Sequence, residues 1–403
     1  MFFLPLLFFG SIFIIFYSYV GYGFLVWFLI RIKSIFRPQR AIPASSSELP
    51  RVTLIISAYN EENFIVEKIK NSLALEYPAD KLEIIFITDG STDSTPTLVA
   101  QFEKIRLLHQ PERKGKVAAM HRAMGHVKTP IVIFSDANTL LNKESIYNIA
   151  RHYFLADTGG VAGEKKIMTA ADTKIAGIGE GLYWKYESML KRLDSELYTV
   201  VGAAGELFSV RTELYEPVGD NILLDDFIIS LKVCMKGYRV QYEPEAYAME
   251  TPSSSLTEER KRKIRISAGA FQSMVILKGL LNIFRYPVLS FQYISHRVLR
   301  WTLCPLLLPV LLIVNILLLI QTKSSFYGLF LAGQILFYLA AAAGWQLANR
   351  NIKSKLLYVP YYFLFLNISL YQGFMRYRKG QQSVLWDKAV RDTYVAGKTG
   401  GDR

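Results

Sequence analysis

Apolar positions fall into three zones along this chain, each with its own rhythm. From Phe2 to Ile30 nearly every residue is apolar or aromatic, relieved only by small and hydroxyl-bearing side chains. A helix needs roughly 20 such residues to cross a bilayer, so this segment predicts a span, with some tilt. No basic run precedes it, while Arg31, Lys33, Arg37 and Arg40 come directly after it. That order favours a retained anchor over a cleaved leader and places the next part of the chain in the cytosol. Residues 38–50 (PQRAIPASSSELP) read as a linker. Short β-branched runs then alternate with amphipathic stretches. Strands are expected at Val52–Ser57, Leu82–Thr88, Ile105–Leu108 and Ile131–Ser135, with helices at Glu61–Leu73, Thr92–Phe102 and Lys116–His126. This alternation predicts an α/β fold, a parallel sheet with helices on both faces.

The pattern is less regular from Gly159 to Tyr247, where helices are expected near Thr173–Leu193 and at Asp226–Lys236. Residues 279–300 are apolar but carry Arg285, His296, Arg297 and Arg300, too much charge to span, and are expected to lie in the membrane interface. Trp301–Gln321 and Phe326–Ala348 predict two spans, and Leu356–Met375 a weaker third that holds Pro360, Asn367 and Gln372. Three C-terminal spans would leave the tail outside, yet Arg376, Arg378 and Lys379 argue for inside. Either the last segment is re-entrant or the charge rule fails there. The chain thus divides into a span (1–31), a linker (32–50), a cytosolic domain (51–275), interfacial helices (276–300), C-terminal membrane helices (301–376) and a basic tail (377–403).

The formal net charge is +13. Much of it flanks apolar segments, which suits anionic lipid headgroups and argues against a nucleic-acid partner. Cys234 lies in the soluble zone and Cys304 in an apolar run, so neither a disulfide nor a cysteine zinc site is expected.

Ligands of parallel sheets bind at the carboxyl ends of the strands, and four successive ends carry polar motifs. SAYNEE (57–62) offers Tyr59 as a flat face for a base and Glu61 as a helix-starting carboxylate, though a surface turn would look the same. In DGSTD (89–93), Asp89 can accept from an imide N–H or ribose hydroxyls and Gly90 permits close backbone approach; the segment also reads as an ordinary helix cap. PERKGKVAAM (111–120) sets Arg113, Lys114 and Lys116 around a glycine, either to reach phosphate oxygens or as a solvated basic loop. In FSDANT (134–139), Asp136 and Asn138 can converge on one Mg2+ or Mn2+, the amide being the weaker ligand.

Four such ends in order, on a membrane-tethered sheet, resemble the family-2 glycosyltransferases, whose catalytic domain has the GT-A fold, a Rossmann-like mixed sheet. The resemblance covers roughly residues 50–275, and the flanking spans suit the family's membrane-bound polysaccharide synthases. It implies that Tyr59 and Asp89, with Glu61 beside them, hold the base and ribose of a nucleotide sugar, typically a UDP-sugar. Arg113 and Lys116 would sit near its diphosphate. Asp136 and Asn138 correspond to the DxD metal motif, here DxN. GAAGELFSVR (202–211), with Gly205, is similar to the acceptor-side strand. LLDD (223–226) resembles the TED motif, with Asp225 in place of the glutamate and Asp226 as catalytic base. RKIRI (262–266) stands where polymerising synthases carry QxxRW: Arg265 is kept, Arg262 replaces the glutamine and Ile266 the tryptophan. The departure bears on processive polymerisation and leaves sugar transfer untouched.

The activity so implied is one inverting displacement, from a nucleotide sugar to a membrane-associated glycan or lipid-linked acceptor, in polysaccharide synthesis at a bacterial plasma membrane. Two alternatives stand beside it: transfer to a polyprenyl phosphate, and a non-catalytic nucleotide-binding subunit of an assembly complex. A transporter would need more ionisable residues in its spans. Any glycan movement would therefore call on an oligomer or export partner.

Overall fold

Phe3–Phe36 forms one helix, α1, with a single wider turn at Tyr17–Gly21. The computed structural model describes residues 2–36, 49–168, 175–253, 255–350, 352 and 354–381. The 38–48 part of the expected linker, the Thr173 start of the long helix, Arg37, Arg40 and the tail beyond 381 lie outside the described residues.

The apolar runs become strands where expected. In chain order they are β1 (Val52–Ala58), β2 (Leu82–Asp89), β3 (Arg106–Gln110), β4 (Ile131–Asp136), β5 (Thr139–Leu141), β6 (Thr158–Ile167), β7 (Leu207–Arg211) and β8 (Arg239–Glu250). They form one sheet in the order β3-β2-β1-β4-β7-β6-β8-β5. The first four are parallel, β7 runs against both β4 and β6, and β8 is parallel to β6 and antiparallel to β5. Leu54 and Ile56 of β1 face one apolar layer and Ile55 the other, so the buried strand feeds both faces, as a near-continuous hydrophobic run requires.

The helices between strands are α2 (Ile65–Leu73), α3 (Thr95–Ala100), α4 (Lys116–Met124), α5 (Ser145–Ala150), α6 (Ile175–Leu197) and α7 (Asp225–Met235). After β8 come α8 (Leu256–Ile276), α9 (Pro287–Tyr293), α10 (Leu303–Thr322), α11 (Ser325–Asn349) and α12 (Lys355–Arg378). Among the described residues, three helices are long and apolar enough to cross a membrane: α1, α10 and α11. Phe8 of α1 is buried against Leu311, Val314 and Leu318 of α10. The weaker third segment is helical as α12 but falls outside that group, and it lies along α8. Tyr362 donates to Glu259 Oε1 at 3.2 Å, and a side chain at Gly373 would collide with Ser267.

Of the charges in 279–300, Arg285 is exposed, while His296, Arg297 and Arg300 are buried and turned inward. Arg297 and Arg300 each place Nη1 2.8 Å from a Glu187 oxygen on α6, and His296 Nδ1 lies 2.6 Å from Asp194 Oδ2. Tyr22 of α1 donates to the other Asp194 oxygen at 2.5 Å, joining the anchor helix to the soluble domain. Burial opposes ionisation of Glu187, but the two guanidiniums outweigh it and hold its carboxyl well below the usual range.

Candidate active site

The first two strand ends are laced into one unit. Asn60 takes φ +53°, the left-handed region that asparagine tolerates better than most. Its Oδ1 accepts from the Thr92 amide at 2.8 Å, and its Nδ2 donates to Thr92 Oγ1 at 3.2 Å. The Glu61 amide donates to Thr95 Oγ1 at 2.8 Å, and Glu62 exchanges bonds with Asp93 and the Ser94 amide. These bonds commit 60–62 to a turn, so α2 starts at Ile65 and not at the expected Glu61. Glu61 is therefore no helix-starting carboxylate, although it stays at the strand end. The helix expected from Thr92 likewise begins at Thr95.

Asp89 is buried, and its carboxylate accepts from the Lys114 amide at 3.1 Å and the Gly115 amide at 2.6 Å. In this structure it shapes the basic loop. Gly90, at φ +65°, lies so close that a Cβ would sit 2.6 Å from Arg113 Cβ and 2.7 Å from its amide nitrogen. Arg113 in turn lays its guanidinium 3.8 Å from the Tyr59 ring centroid. Tyr59, Asp89 and Arg113 thus meet at one edge of the sheet.

Lys116 opens α4 and reaches across the strand ends, with Nζ 2.6 Å from Asp136 Oδ1. From the acceptor-side segment, Gly205 closes on the same ammonium. A Cβ built there would stand 3.3 Å from Lys116 Nζ and 3.3 Å from Asp226 Oδ2. Asp136 and Asp226 therefore flank one ammonium on the same side of the sheet. Burial works against the charge on Lys116, but Asp136, Asp225 and Asp226 outweigh it and hold its pKa above the ordinary range.

Asp225 and Asp226 form the first turn of α7. Asp225 is buried, and its Oδ2 has no hydrogen-bond partner among the described residues. Burial, then the Asp225 charge, pushes Asp226 up to about 7, with Lys116 pulling the other way. At the β4–β5 turn, Asn138 makes no side-chain hydrogen bond among the described residues, and the Asp136 carboxylate pairs with Lys116. Asp136 and Asn138 supply two hard oxygen donors at this turn, and no cluster of three or more acidic, histidine or cysteine ligands occurs among the described residues. That donor set fits an ion that draws its remaining ligands from substrate phosphates and water.

Arg262 and Arg265 reach the site from α8. Arg262 Nη1 lies 3.2 Å from Glu259 Oε2, and Arg265 feels Asp136 and Asp225 across the pocket.

The Glycosyl transferase family 2 sequence model matches residues 53–218. The probable glycosyltransferase YdaM of Bacillus subtilis is 25% identical over 272 residues, 61% of this chain and 62% of that protein. The poly-beta-1,6-N-acetyl-D-glucosamine synthase of Staphylococcus aureus is 26% identical over 239 residues, 57% of this chain and 56% of that one. The chain thus spans less than two thirds of the length of these curated relatives. The mannosyltransferase PcManGT of Pyrobaculum calidifontis, solved with GDP-Man and Mn2+, superposes over 94% of this chain and 99% of its own with a TM-score of 0.73 at 20% identity. Residues 53–218 are thus the part of this chain that resembles a family 2 glycosyl transferase domain. The likeness to PcManGT shows the fold, a GT-A sheet whose antiparallel half the irregular pattern of 159–247 had not outlined.

Several polar residues of the transferase domain went unread in the sequence. Lys68 is fully buried, with Nζ 2.8 Å from Ser135 Oγ and 3.3 Å from Thr139 Oγ1, beneath the turn that carries Asp136 and Asn138. Its signal was a lysine on the apolar face of α2, among buried Ile65, Ile69 and Ser72. Glu206, next to Gly205, accepts from buried Lys165 at 2.6 Å, and Lys165 also pairs with Glu250. Burial would raise the Glu206 carboxyl, but Lys165 prevails and brings it down to about 2. Glu206 and Lys165 lie on different elements of an irregular region, so spacing carried no sign of them.

Proposed function

We propose that the transferase domain moves a sugar from a nucleotide sugar, a UDP-sugar by family resemblance, to a membrane-associated glycan or lipid-linked acceptor, inverting the anomeric carbon. The observation that carries this reading is the cluster in which Lys116 pairs with Asp136 and converges with Asp226 on Gly205. Asp226 accepts the proton of the acceptor hydroxyl as its oxygen bonds to the anomeric carbon. The bond from that carbon to the diphosphate breaks with its electrons, and the nucleoside diphosphate leaves. A carboxylate whose pKa lies near the working pH suits this role, since general-base assistance contributes roughly 10²–10⁴-fold. Lys116 and Arg265 face the growing charge on the leaving group. Asp136 and Asn138 would hold Mg2+ or Mn2+, which supplies further positive charge to the diphosphate. Tyr59 and Arg113 form the stacked edge available to the base.

The synthase named above supports a polysaccharide product, and α1, α10 and α11 support a membrane setting. Arg31 and Lys33, in the last turns of α1, favour a cytosolic transferase domain. Two C-terminal crossings then return the chain to that same face, where Arg376, Arg378 and Lys379 suit it. In this reading α12, packed along α8, is not counted as a third span.

The test is to give the purified full chain a panel of nucleotide sugars with Mg2+ or Mn2+ and to measure released nucleoside diphosphate and product size. Release by the wild type, lost in Asp226→Asn, is expected. No release with any donor would favour the non-catalytic reading and sink this one.

A further inference from the structure

Helix α7 begins without a side-chain cap. Its N-cap residue is Leu224, which gives the first turn no side-chain hydrogen bond, where Ser, Thr, Asp or Asn would ordinarily accept one. The direction in which Asp225 and Asp226 leave the chain therefore depends on the strap before them, residues 218–224, and on what holds that strap.

Gln272 of α8 grips it at two points. Its Nε2 donates to the Asn221 carbonyl at 2.9 Å, and its Oε1 accepts from the Leu223 amide at 3.1 Å. A carbonyl can only accept and an amide N–H can only donate, so the two contacts fix which way the side-chain amide faces. The amide pairs with backbone on either side of Ile222, as a neighbouring strand would, and Ile222 itself is packed in the core. One turn earlier on α8, Gly269 lets the helix close in. A Cβ there would sit 2.8 Å from Leu224 Cγ and 2.9 Å from Leu223 Cβ. Gln272 is buried, so its two bonds are costly to lose.

The same helix brings cations to the site. Arg262, Arg265, Gly269 and Gln272 follow at intervals of three, four and three, the spacing of one helical stripe. Helix α4 repeats the plan from the other side. It carries Lys116 and then His121, whose Nε2 accepts from the Val218 amide at 3.2 Å and whose Nδ1 lies 3.5 Å from Asp220 Oδ1. The strap that delivers the carboxylates is thus pinned to both helices that deliver the cations.

We propose that Gln272 is a positioning residue for the transfer reaction. By holding Asn221 and Leu223 it sets where Asp226 stands relative to Lys116 and Arg265, and it acts through that backbone alone. The inference rests on the transfer reading above and adds the part that keeps the base in register. Such a part matters because a misplacement of about 1 Å can cost about 10²-fold in rate.

The test is donor turnover by the purified full chain carrying Gln272→Met, a side chain of similar size that makes neither bond, in the wild-type and the Asp226→Asn backgrounds. In the wild-type background kcat is expected to fall about tenfold to a hundredfold with donor KM within about twofold. Two unpaired backbone groups should also lower the melting temperature, so turnover is read well below it. In the Asp226→Asn background no further loss is expected, since a group that acts through the base has nothing left to align. Where Gln272→Met fails to fold, Gln272→Glu carries the same test: it keeps the acceptor toward Leu223 and sets a carboxylate oxygen against the Asn221 carbonyl. An equal fall in both backgrounds would mark a general packing defect and overturn the proposal. Release by the wild type that Gln272→Met leaves unchanged removes this proposal alone. No release by the wild type with any donor removes the transfer reading, and this inference with it.

Discussion

Two clusters of buried charge in this domain are built on opposite plans. On α6, Glu187 meets Arg297 and Arg300, while Asp194 meets His296, Tyr22 and Gln292. Each acid there has dedicated donors, and the cluster joins α1 to the soluble domain. On α7, Asp225 and Asp226 stand side by side, one with an unpartnered oxygen, and share the influence of a single ammonium with Asp136. In the first, the two guanidiniums hold the Glu187 carboxyl well below its usual range. Crowded charge of the second kind keeps Asp226 close to its titration point at neutral pH, which costs stability and leaves a base ready to act.

The contrast can be broken by substitution, beginning where the effect is largest. Asp226→Asn should lower kcat by roughly 10²–10⁴-fold while thermal stability holds or rises, since a crowded charge is removed; a melting curve and donor turnover on the same preparation check both halves. Glu187→Gln should do the reverse in kind, costing about 3–5 kcal/mol of stability because two buried guanidiniums lose their counter-charge. Denaturant unfolding of the full chain reads this, and an unchanged midpoint would show that the α6 cluster is not a structural joint. Gly205→Ala puts a methyl 3.3 Å from Lys116 Nζ and Asp226 Oδ2, and should cut kcat/KM by about tenfold or more with the fold intact. The smallest effect is one of position. Activity should rise with pH as Asp226 deprotonates, on a limb near pH 7 in kcat/KM. Asp225→Asn removes the second largest cause of that raised pKa and should move the limb to lower pH. A limb that stays in place would mean that Asp225 does not tune the base.

The same contrast explains which parts of the molecule were legible in the sequence. The parallel half of the sheet keeps charge to the ends of its strands, so Val52–Ala58, Leu82–Asp89 and Ile131–Asp136 stand out as apolar runs with polarity at their ends. Tyr59, Asp89, Arg113, Lys116 and Asp136 could be read from that punctuation alone. The antiparallel half instead buries ionic groups within strands and helices: Lys165, Glu243 and Glu250 inside β6 and β8, Glu187 and Asp194 inside α6. Each looks like a solvated face until its partner, distant in sequence, is known. Gly205 and the Asp225–Asp226 pair were recognised there by resemblance, not by periodicity. Position alone did not show a second role: Asp89 also accepts from backbone amides of the next loop. Charge excluded 279–300 as a span, while the direction of His296, Arg297 and Arg300, inward to α6, could not be seen without the fold.

The anchor helix has a required rotational setting. Phe8 is locked against α10, and Tyr22, about four turns further on, carries the hydroxyl that reaches Asp194. Both side chains therefore point to the protein side of the same helix. An unrelated hydrophobic segment of equal length could still insert, but it would offer Asp194 no phenol and α10 no matching ring. Chimeras that exchange this segment would keep their place in the bilayer and lose the fixed tilt of the pocket above it.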